Sequence, residues 1–191
     1  MNAAGTAPSY PWFQTVDGNS LEQGDLLRGF DVAVPVAIAG SGGTELQVEL
    51  KTFDLVVMTQ SCDIENDKVR SLLLCPVFDM WRFVEAAKAG GENWGADQRD
   101  RLRHGNLPGY HFICDADQDG QTLPVSVVDF HEVYSAPTAL VRQFITAAGL
   151  RLRLCPPYKE HLAQAFARFF MRVGLPIAIA KEKLKPVKGG R

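Results

Sequence analysis

The first half of the chain alternates between apolar and polar residues or carries short apolar runs, as β-strands do. Residues 21–40 and 44–50 alternate with a period of two on either side of a glycine-rich loop. Residues 53–60 and 69–77 are nearly continuous apolar runs, and the polar segment Ile64–Lys68 joins them. These patterns predict antiparallel strands connected by hairpin turns, one of them at Ile64–Lys68.

Helical patterns interrupt these strands and then follow them. Residues 79–91 begin at a capping aspartate and end at a glycine pair, and residues 95–106 predict a short polar helix. Strand patterns return at 109–136. Residues 137–149 and 156–174 start at proline and end at glycine, which is typical of helices. The order predicts an α+β fold with a mostly antiparallel sheet.

A chain of 191 residues is long enough for one domain with a substantial core. We expect residues 1–20 to be a loose lead-in and 21–136 to form a β-domain with a helical insert at 79–105. Residues 137–180 are expected to be helices packed on that domain, and 181–191 a basic tail.

Hydropathy and cysteine content bear on the location of the chain. No apolar run approaches the roughly 20 residues that a membrane-spanning helix needs, and the N-terminal residues lack a basic and then apolar export signal. We therefore expect a cytoplasmic protein without a membrane partner. The cysteines should be reduced thiols, with Cys75, Cys114 and Cys155 packing as small apolar residues.

Charge is divided unevenly along the chain. Residues 1–141 carry 9 Lys+Arg and 20 Asp+Glu, whereas residues 142–191 carry 11 Lys+Arg and two Glu. Such a division predicts either a basic contact with nucleic acid or a basic end folded back on an acidic body. The residues that would bind nucleic acid are Arg168, Arg172, Lys181, Lys183 and Lys185.

The polar end of the run at 53–60 is a candidate catalytic site. Cys62 could act as a nucleophile if Asp63 or a distant histidine lowered the pKa of its thiol. The adjacent negative charge of Asp63 opposes that, because it disfavours a second anion. The alternative is a turn in which Asp63 and Asn66 bind backbone groups while Cys62 packs.

Neither a metal nor a cofactor is predicted. The segment DADQDG, which starts at Asp115, resembles the opening of a calcium loop, but Ser126 stands where the bidentate glutamate should be. We interpret it as a turn. Asp129 and His131 should lie on one side of a strand, where they could serve acid–base chemistry or simply face solvent.

Two stretches resemble the PemK/MazF-type toxins over residues 22–78. These are QGDLLRG near the start and LVVMTQSCDIENDKVRSLLLCPV from Leu55. By position, Gly24 and Asp25 match the opening motif of the family, Thr59 matches its catalytic Ser/Thr, and Pro76 matches a proline after the next strand. The resemblance implies a small SH3-like β-barrel, a dimer, metal-free cleavage of single-stranded RNA and neutralisation by an antitoxin.

One motif departs from the family pattern. An Arg-Pro pair precedes the second strand in the family, and its arginine acts on the scissile phosphate. Here Phe53-Asp54 stands in that place, and Arg28 is the nearest upstream arginine. The candidate catalytic residues are therefore Arg28, Thr59, Cys62 and Asp63.

Three functional hypotheses follow, and the sequence leaves open whether the protein is an enzyme. The first is a toxin-like or phage-defence module of a bacterium that acts on single-stranded RNA or DNA. The second is a non-catalytic module that binds a protein encoded nearby, and the third is a cysteine-dependent enzyme that uses Cys62. The first requires that the strands flanking Ile64–Lys68 pair and that their polar junction faces a shared hollow.

Overall fold

A computed structural model describes residues 10–37 and 46–171 of the chain. This part is a mixed α+β structure with five helices and ten strands. The elements are β1 Phe13–Val16, β2 Leu26–Ala37, β3 Leu46–Val57, α1 Ser61–Glu65, β4 Ser71–Asp79, α2 Met80–Ala89, α3 Ala96–Arg103, β5 Tyr110–Ile113, β6 Ala116–Gln118, β7 Gln121–Leu123, β8 Ser126–Asp129, β9 Tyr134–Pro137, α4 Thr138–Ala148, β10 Arg151–Leu154 and α5 Tyr158–Phe170.

Six strands form the main sheet, in the order β2-β3-β4-β8-β5, with β9 also paired to β4. All of these pairings are antiparallel. Strand β4 changes partner along its length, since residues 71–74 pair with β9 and residues 77–79 pair with β8. Two further antiparallel pairs, β1–β10 and β6–β7, lie outside this sheet.

Both faces of the main sheet are buried at its centre, along residues 55–58 of the chain and 74–77 of β4. Leu72 and Leu74 of β4 join a cluster that includes residues of helix α4, whereas Cys75 and Val77 join a second cluster with β10 and helix α5. Because neighbouring residues of a strand point to opposite faces, burial on both sides removes the need for polar positions. This explains the nearly continuous apolar runs at 53–60 and 69–77.

Helices α2 and α3 lie between β4 and β5 and cover a small cluster of their own, built around Met80, Val84 and Trp94. Asp79 caps α2 as expected: its side chain accepts hydrogen bonds from the backbone N–H of Trp81 at 2.9 Å and of Arg82 at 3.0 Å.

The hairpin turn predicted at Ile64–Lys68 is wrong. Strands β3 and β4 do pair, with Val56 opposite Cys75, but the connection starts with the one-turn helix α1. The physical reason is the burial of Ile64 in the cluster that includes residues of α4, because a side chain in an exposed hairpin turn could not pack there. Arg142 of α4 also donates to the backbone oxygen of Ile64, at 3.4 Å.

Two further expectations need correction. The lead-in contains a strand, β1, and the C-terminal third contains β10, with Phe13 opposite Leu154 and Val16 opposite Arg151. The helix predicted at 156–174 is found as α5, in which Leu162 is buried and Phe170 is 58% exposed.

Within the described part of the chain, no strand pairing closes the main sheet into a barrel, and β2 and β5 form its two ends. Across residues 10–37 and 46–171, no helix combines the length and apolar character required to cross a bilayer.

Candidate functional site

The predicted site residues Thr59, Cys62 and Asp63 lie in the connection between β3 and β4, which we call the joint. The Thr59 hydroxyl accepts a hydrogen bond from the backbone N–H of Leu73 at 2.8 Å, which ties the end of β3 to β4. The Cys62 thiol is exposed and contacts Gln60 at 3.7 Å and Asp63 at 3.8 Å. Both partners are acceptors without positive charge. The contacts therefore include no group that would activate a thiolate.

The joint is also tied to the segment before β2. Buried Gln23 donates through its side-chain amide to the backbone oxygen of Met58 at 2.8 Å. Its backbone N–H donates to the Ser61 hydroxyl at 3.1 Å. The polar residues at this strand end thus satisfy backbone and side-chain groups of the fold.

Of the other cysteines, Cys75 and Cys155 are buried as predicted, whereas Cys114 is half-buried and its thiol lies 3.2 Å from Asp115 Oδ1. All four thiols are free. Burial, followed by the nearby charge of Asp129, raises the pKa of Cys75 to about 12. Burial likewise raises the pKa of Cys114 and of Cys155. These three are protonated at neutral pH and therefore poor nucleophiles.

Arg28 lies away from that joint, at an irregularity in the pairing of β2 and β3. The register shifts between Leu27 and Phe30, and Gly29 adopts a φ of 67°. Arg28 Nε lies 2.7 Å from Asp54 Oδ2, and Arg28 Nη1 donates to the backbone oxygen of Thr122 at 2.7 Å. Arg28 therefore stands beside Asp54 in space, although the two are 26 positions apart in the chain.

Beside this ion pair the surface opens into a cavity of about 780 Å³, which we call the acidic groove. Strands β2, β3, β4 and β8 and helix α2 contribute residues to it. The ionisable residues of its lining are Arg28, Asp54, Asp79, Arg82, Asp129 and Glu132, and the aromatic ones are Phe53, Phe78 and Phe83. Carboxylates outnumber guanidinium groups by four to two.

Two of these carboxylates are held in place by neighbouring side chains. Asp129 Oδ1 accepts from the backbone N–H of His131 at 2.8 Å and lies 2.6 Å from Nδ1 of the same residue. Glu132 Oε2 accepts from the Tyr134 hydroxyl at 2.6 Å. The Tyr134 ring stacks on Phe53, with 5.2 Å between ring centroids. Burial and the hydrogen bond to Glu132 raise the pKa of Tyr134, so its hydroxyl remains a donor.

The His131 ring is positioned by its surroundings. It lies on Gly109, whose φ is 92°, and a Cβ at that position would overlap the ring. Tyr110 and Phe169 contact the ring, with centroids at 4.8 and 5.0 Å. The expected pair of Asp129 and His131 is thus formed, but β8 ends at Asp129 and His131 lies in the following turn.

Most cations in the described part of the C-terminal third are paired with the acidic body. Arg151 and Arg153 are 3% and 4% exposed, and both donate to Asp25, which is fully buried. Arg153 also pairs with Glu22 at 2.5 Å, and Lys159 lies 3.4 Å from the same carboxylate. We call these residues the Asp25 cluster.

Two described cations of the C-terminal third lie outside this cluster, Arg142 and Arg168. Arg142 lies 3.8 Å from Asp67, an exposed pairing. Arg168 donates to Gln164 at 3.5 Å and is exposed. Arg172, Lys181, Lys183 and Lys185 lie outside the described residues. For the part of this third that is described, folding back on the acidic body is therefore the arrangement found.

The turn predicted at DADQDG is present, because β6 and β7 pair around Asp119 and Gly120, which have φ values of 50° and 74°. Over residues 10–37 and 46–171, no group of three or more His, Cys, Asp or Glu side chains is arranged to hold a metal ion.

The structure does not bring the four predicted catalytic residues together, since Arg28 lines the groove and the other three belong to the joint. Sequence analysis missed Asp54, Asp79 and Glu132 as groove residues. A usable signal existed: Asp79 and Asp129 each end a buried strand, and β4 and β8 are neighbours.

Comparison with known proteins adds no family to this description. A scan of the chain against models of protein families finds no match, and a search of curated protein sequences finds none.

Proposed function

We propose that this protein is a binding module whose acidic groove receives a positively charged, extended segment of a partner protein. The observation that carries the proposal is the groove itself, with four carboxylates, two arginines and three phenylalanines around one cavity. This develops the second of the three hypotheses drawn from the sequence.

The carboxylates of the groove are oriented before any ligand arrives. Asp79 uses Oδ1 to cap α2, Asp129 uses Oδ1 to hold His131, and Glu132 uses Oε2 for Tyr134. The second oxygen of each accepts no hydrogen bond from the part of the chain that is described. A lysine or arginine side chain of a partner can donate to these oxygens at little cost in reorganisation.

The aromatic side chains of the groove suit the same class of ligand. Phe53, Phe78 and Phe83 offer ring surface next to the carboxylates. The aliphatic stem of a lysine or arginine packs on such surface while its charged end reaches an acid, and an ammonium or guanidinium group over a ring face is itself attracted.

The toxin-like, nucleic-acid-directed function and the relation to PemK/MazF-type toxins stay predictions. The groove charge gives them no support, because carboxylates repel phosphates and Arg28 is already paired with Asp54. The connection at 61–65 is helical, which removes the polar hairpin junction on which that comparison depended. The SH3-like barrel also stays a prediction. The register shift between Leu27 and Phe30, and the change of partner strand along β4, would suit an open form of such a barrel.

The test is a fluorescence anisotropy titration with a labelled peptide of alternating lysine and alanine at low salt. The full chain with Asp79→Asn and Glu132→Gln keeps the cap and the tyrosine acceptor but loses two charges. Because each close pair contributes roughly 0.5–1 kcal/mol, we expect peptide binding to be weaker by up to about tenfold.

The matched control is the full chain with Asp97→Asn and Asp117→Asn, two exposed carboxylates outside the groove lining. It has the same net charge as the groove variant and should bind the peptide like the unaltered chain. Equal affinities of the two variants would refute the proposal. Tight binding of a labelled single-stranded RNA that the peptide does not displace would favour the nucleic-acid hypothesis instead.

A further inference from the structure

We propose that residues 172–191 of this chain bind in its own acidic groove and thereby compete with the partner segment. The inference rests on the proposed function of the groove, and it names a regulator of that site. Three observations carry it: where α5 ends, how far the remaining chain reaches, and how its charge matches the groove.

Helix α5 ends near the edge of the groove. Near its last turn, the Phe169 ring lies 5.0 Å from the His131 ring. His131 Nδ1 in turn lies 2.6 Å from Asp129 Oδ1, and Asp129 lines the groove. The described part of the chain ends two residues after Phe169, at Met171. Residues 172–191 therefore begin close to the carboxylates of the groove.

The remaining chain is long enough to cross the groove. An extended chain advances about 3.3 Å per residue, so residues 172–191 can reach roughly 60 Å. A cavity of about 780 Å³ is filled by only a short part of such a segment. Residues 172–191 are therefore long enough to extend from the end of α5 to the far side of the groove.

The charges of the two parts are complementary. Residues 172–191 contain six Lys+Arg and one Glu, a net charge of +5. Lys181, Lys183 and Lys185 alternate with other residues. Side chains of an extended chain that are two positions apart point the same way. An extended segment thus presents three ammonium groups to one side, where the carboxylates that line the groove can accept their hydrogen bonds.

Tethering strengthens this contact. A segment attached next to its site has an effective concentration in the millimolar range, so even weak ion pairs give substantial occupancy. A partner must then displace the segment, and its apparent affinity falls accordingly. The C-terminal segment would act as an autoinhibitory competitor that more basic or longer partner segments overcome.

The first experiment measures how fast trypsin cleaves the full chain after Lys181 and Lys183, followed by mass spectrometry at low salt. Docking protects these bonds. In the chain with Asp79→Asn and Glu132→Gln we expect cleavage on the order of fivefold faster. The chain with Asp97→Asn and Asp117→Asn controls for net charge and should be cleaved at the rate of the unaltered protein. Equal rates in the two variants would overturn the inference.

The second experiment separates this inference from the proposed function. The lysine–alanine peptide is titrated into the full chain with Lys181→Gln, Lys183→Gln and Lys185→Gln, which should bind it on the order of tenfold more tightly than the unaltered chain. A chain with glutamine at Lys51, Lys68 and Lys88 is the control, with the same net charge.

The outcomes are distinct. If the peptide binds the unaltered chain and the tail variant equally, and the groove variant more weakly, the groove function stands and the inference fails. If no chain binds the peptide but the groove substitutions still speed cleavage of the tail, the proposed partner function fails and the intramolecular contact stands.

Discussion

The Asp25 cluster and the acidic groove consist of the same kinds of side chain, but they differ in burial and in balance. In the cluster, Asp25 is fully buried and both Arg151 and Arg153 donate to it. In the groove, carboxylates outnumber arginines, and even the paired Arg28 and Asp54 are 44% and 33% exposed. Charges sealed from water must be matched within the fold, whereas charges in contact with water can remain available to a ligand.

The difference also shows where the basic third of the chain serves the fold. The buried arginines of β10 hold the segment from Gly18 to Asp25, since Arg151 donates to the backbone oxygens of Gly18 and Ser20. The bridge between Asp25 and Arg153 then links β10 to the start of β2. The cluster thus replaces part of a hydrophobic core with matched ions.

The sharpest way to break the comparison is Asp25→Asn. Two buried guanidinium groups would lose their shared counter-ion, and removal of one partner from a buried ion pair typically costs about 3–5 kcal/mol. We expect that loss in the free energy of unfolding, measured by urea titration. Asp54→Asn is the control, and it should cost less than about 1 kcal/mol because its partner stays hydrated. Similar losses for both would show that burial does not separate the two regions.

A second, smaller effect concerns a half-buried histidine without an acidic partner in the described part of the chain. Burial, followed by the charges of His161 and Arg168, lowers the pKa of His111 to about 4. Folding therefore favours the neutral imidazole, whereas the unfolded chain takes up a proton near pH 6.5. The unfolded state binds more protons between these values, so stability falls as pH drops from about 6.5 to about 4.

We expect His111 to contribute about 2 kcal/mol to that fall. The measurement is the free energy of unfolding of the unaltered chain and of His111→Gln across this range. The free energy of unfolding of the variant should depend less steeply on pH. Identical slopes for the two chains would contradict a neutral His111 in the folded state.

The smallest expected effect sharpens the comparison from the other side. Asp79→Asn with Glu132→Gln should change the free energy of unfolding by no more than about 0.5 kcal/mol, because asparagine also caps helices and glutamine still accepts from Tyr134. The same substitutions should weaken peptide binding. A large loss of stability would assign these carboxylates to the fold instead of to a ligand.

Much of the secondary structure could be predicted because it depends on local patterns. Asp79 caps α2, Pro137 and Gly149 bound α4, and a turn separates β6 from β7. The strands β1 and β10 were missed because each is only four residues long. In β10 the sequence Arg-Leu-Arg-Leu suggests one exposed face, yet all four residues are buried. The carboxylate of Asp25 and the backbone oxygens of Gly18 and Ser20, all more than 120 positions away, make burial of those arginines possible.

The candidate site was accessible from the sequence only in part. Asp129 and His131 were predicted to lie on one side of a strand, and the structure pairs them although His131 lies in the turn after β8. The joint at Thr59–Asp63 attracted attention because polar residues follow a buried strand, but hydrogen bonds to Leu73, Gln23 and Met58 give those residues a structural task. Residues that share a strand end have no sequence spacing that identifies them as neighbours.

The sequence by itself determined most of the elements, the mixed class of the fold and the surplus of positive charge in the last third, because periodicity, caps and composition are local properties. The tertiary structure decided which charges are matched and which are left over. It buried Arg151 and Arg153 against Asp25 and placed Asp79, Asp129 and Glu132 around one cavity. The reason is physical: the cost of a charge depends on the water and the counter-ions around it, and only folding sets both.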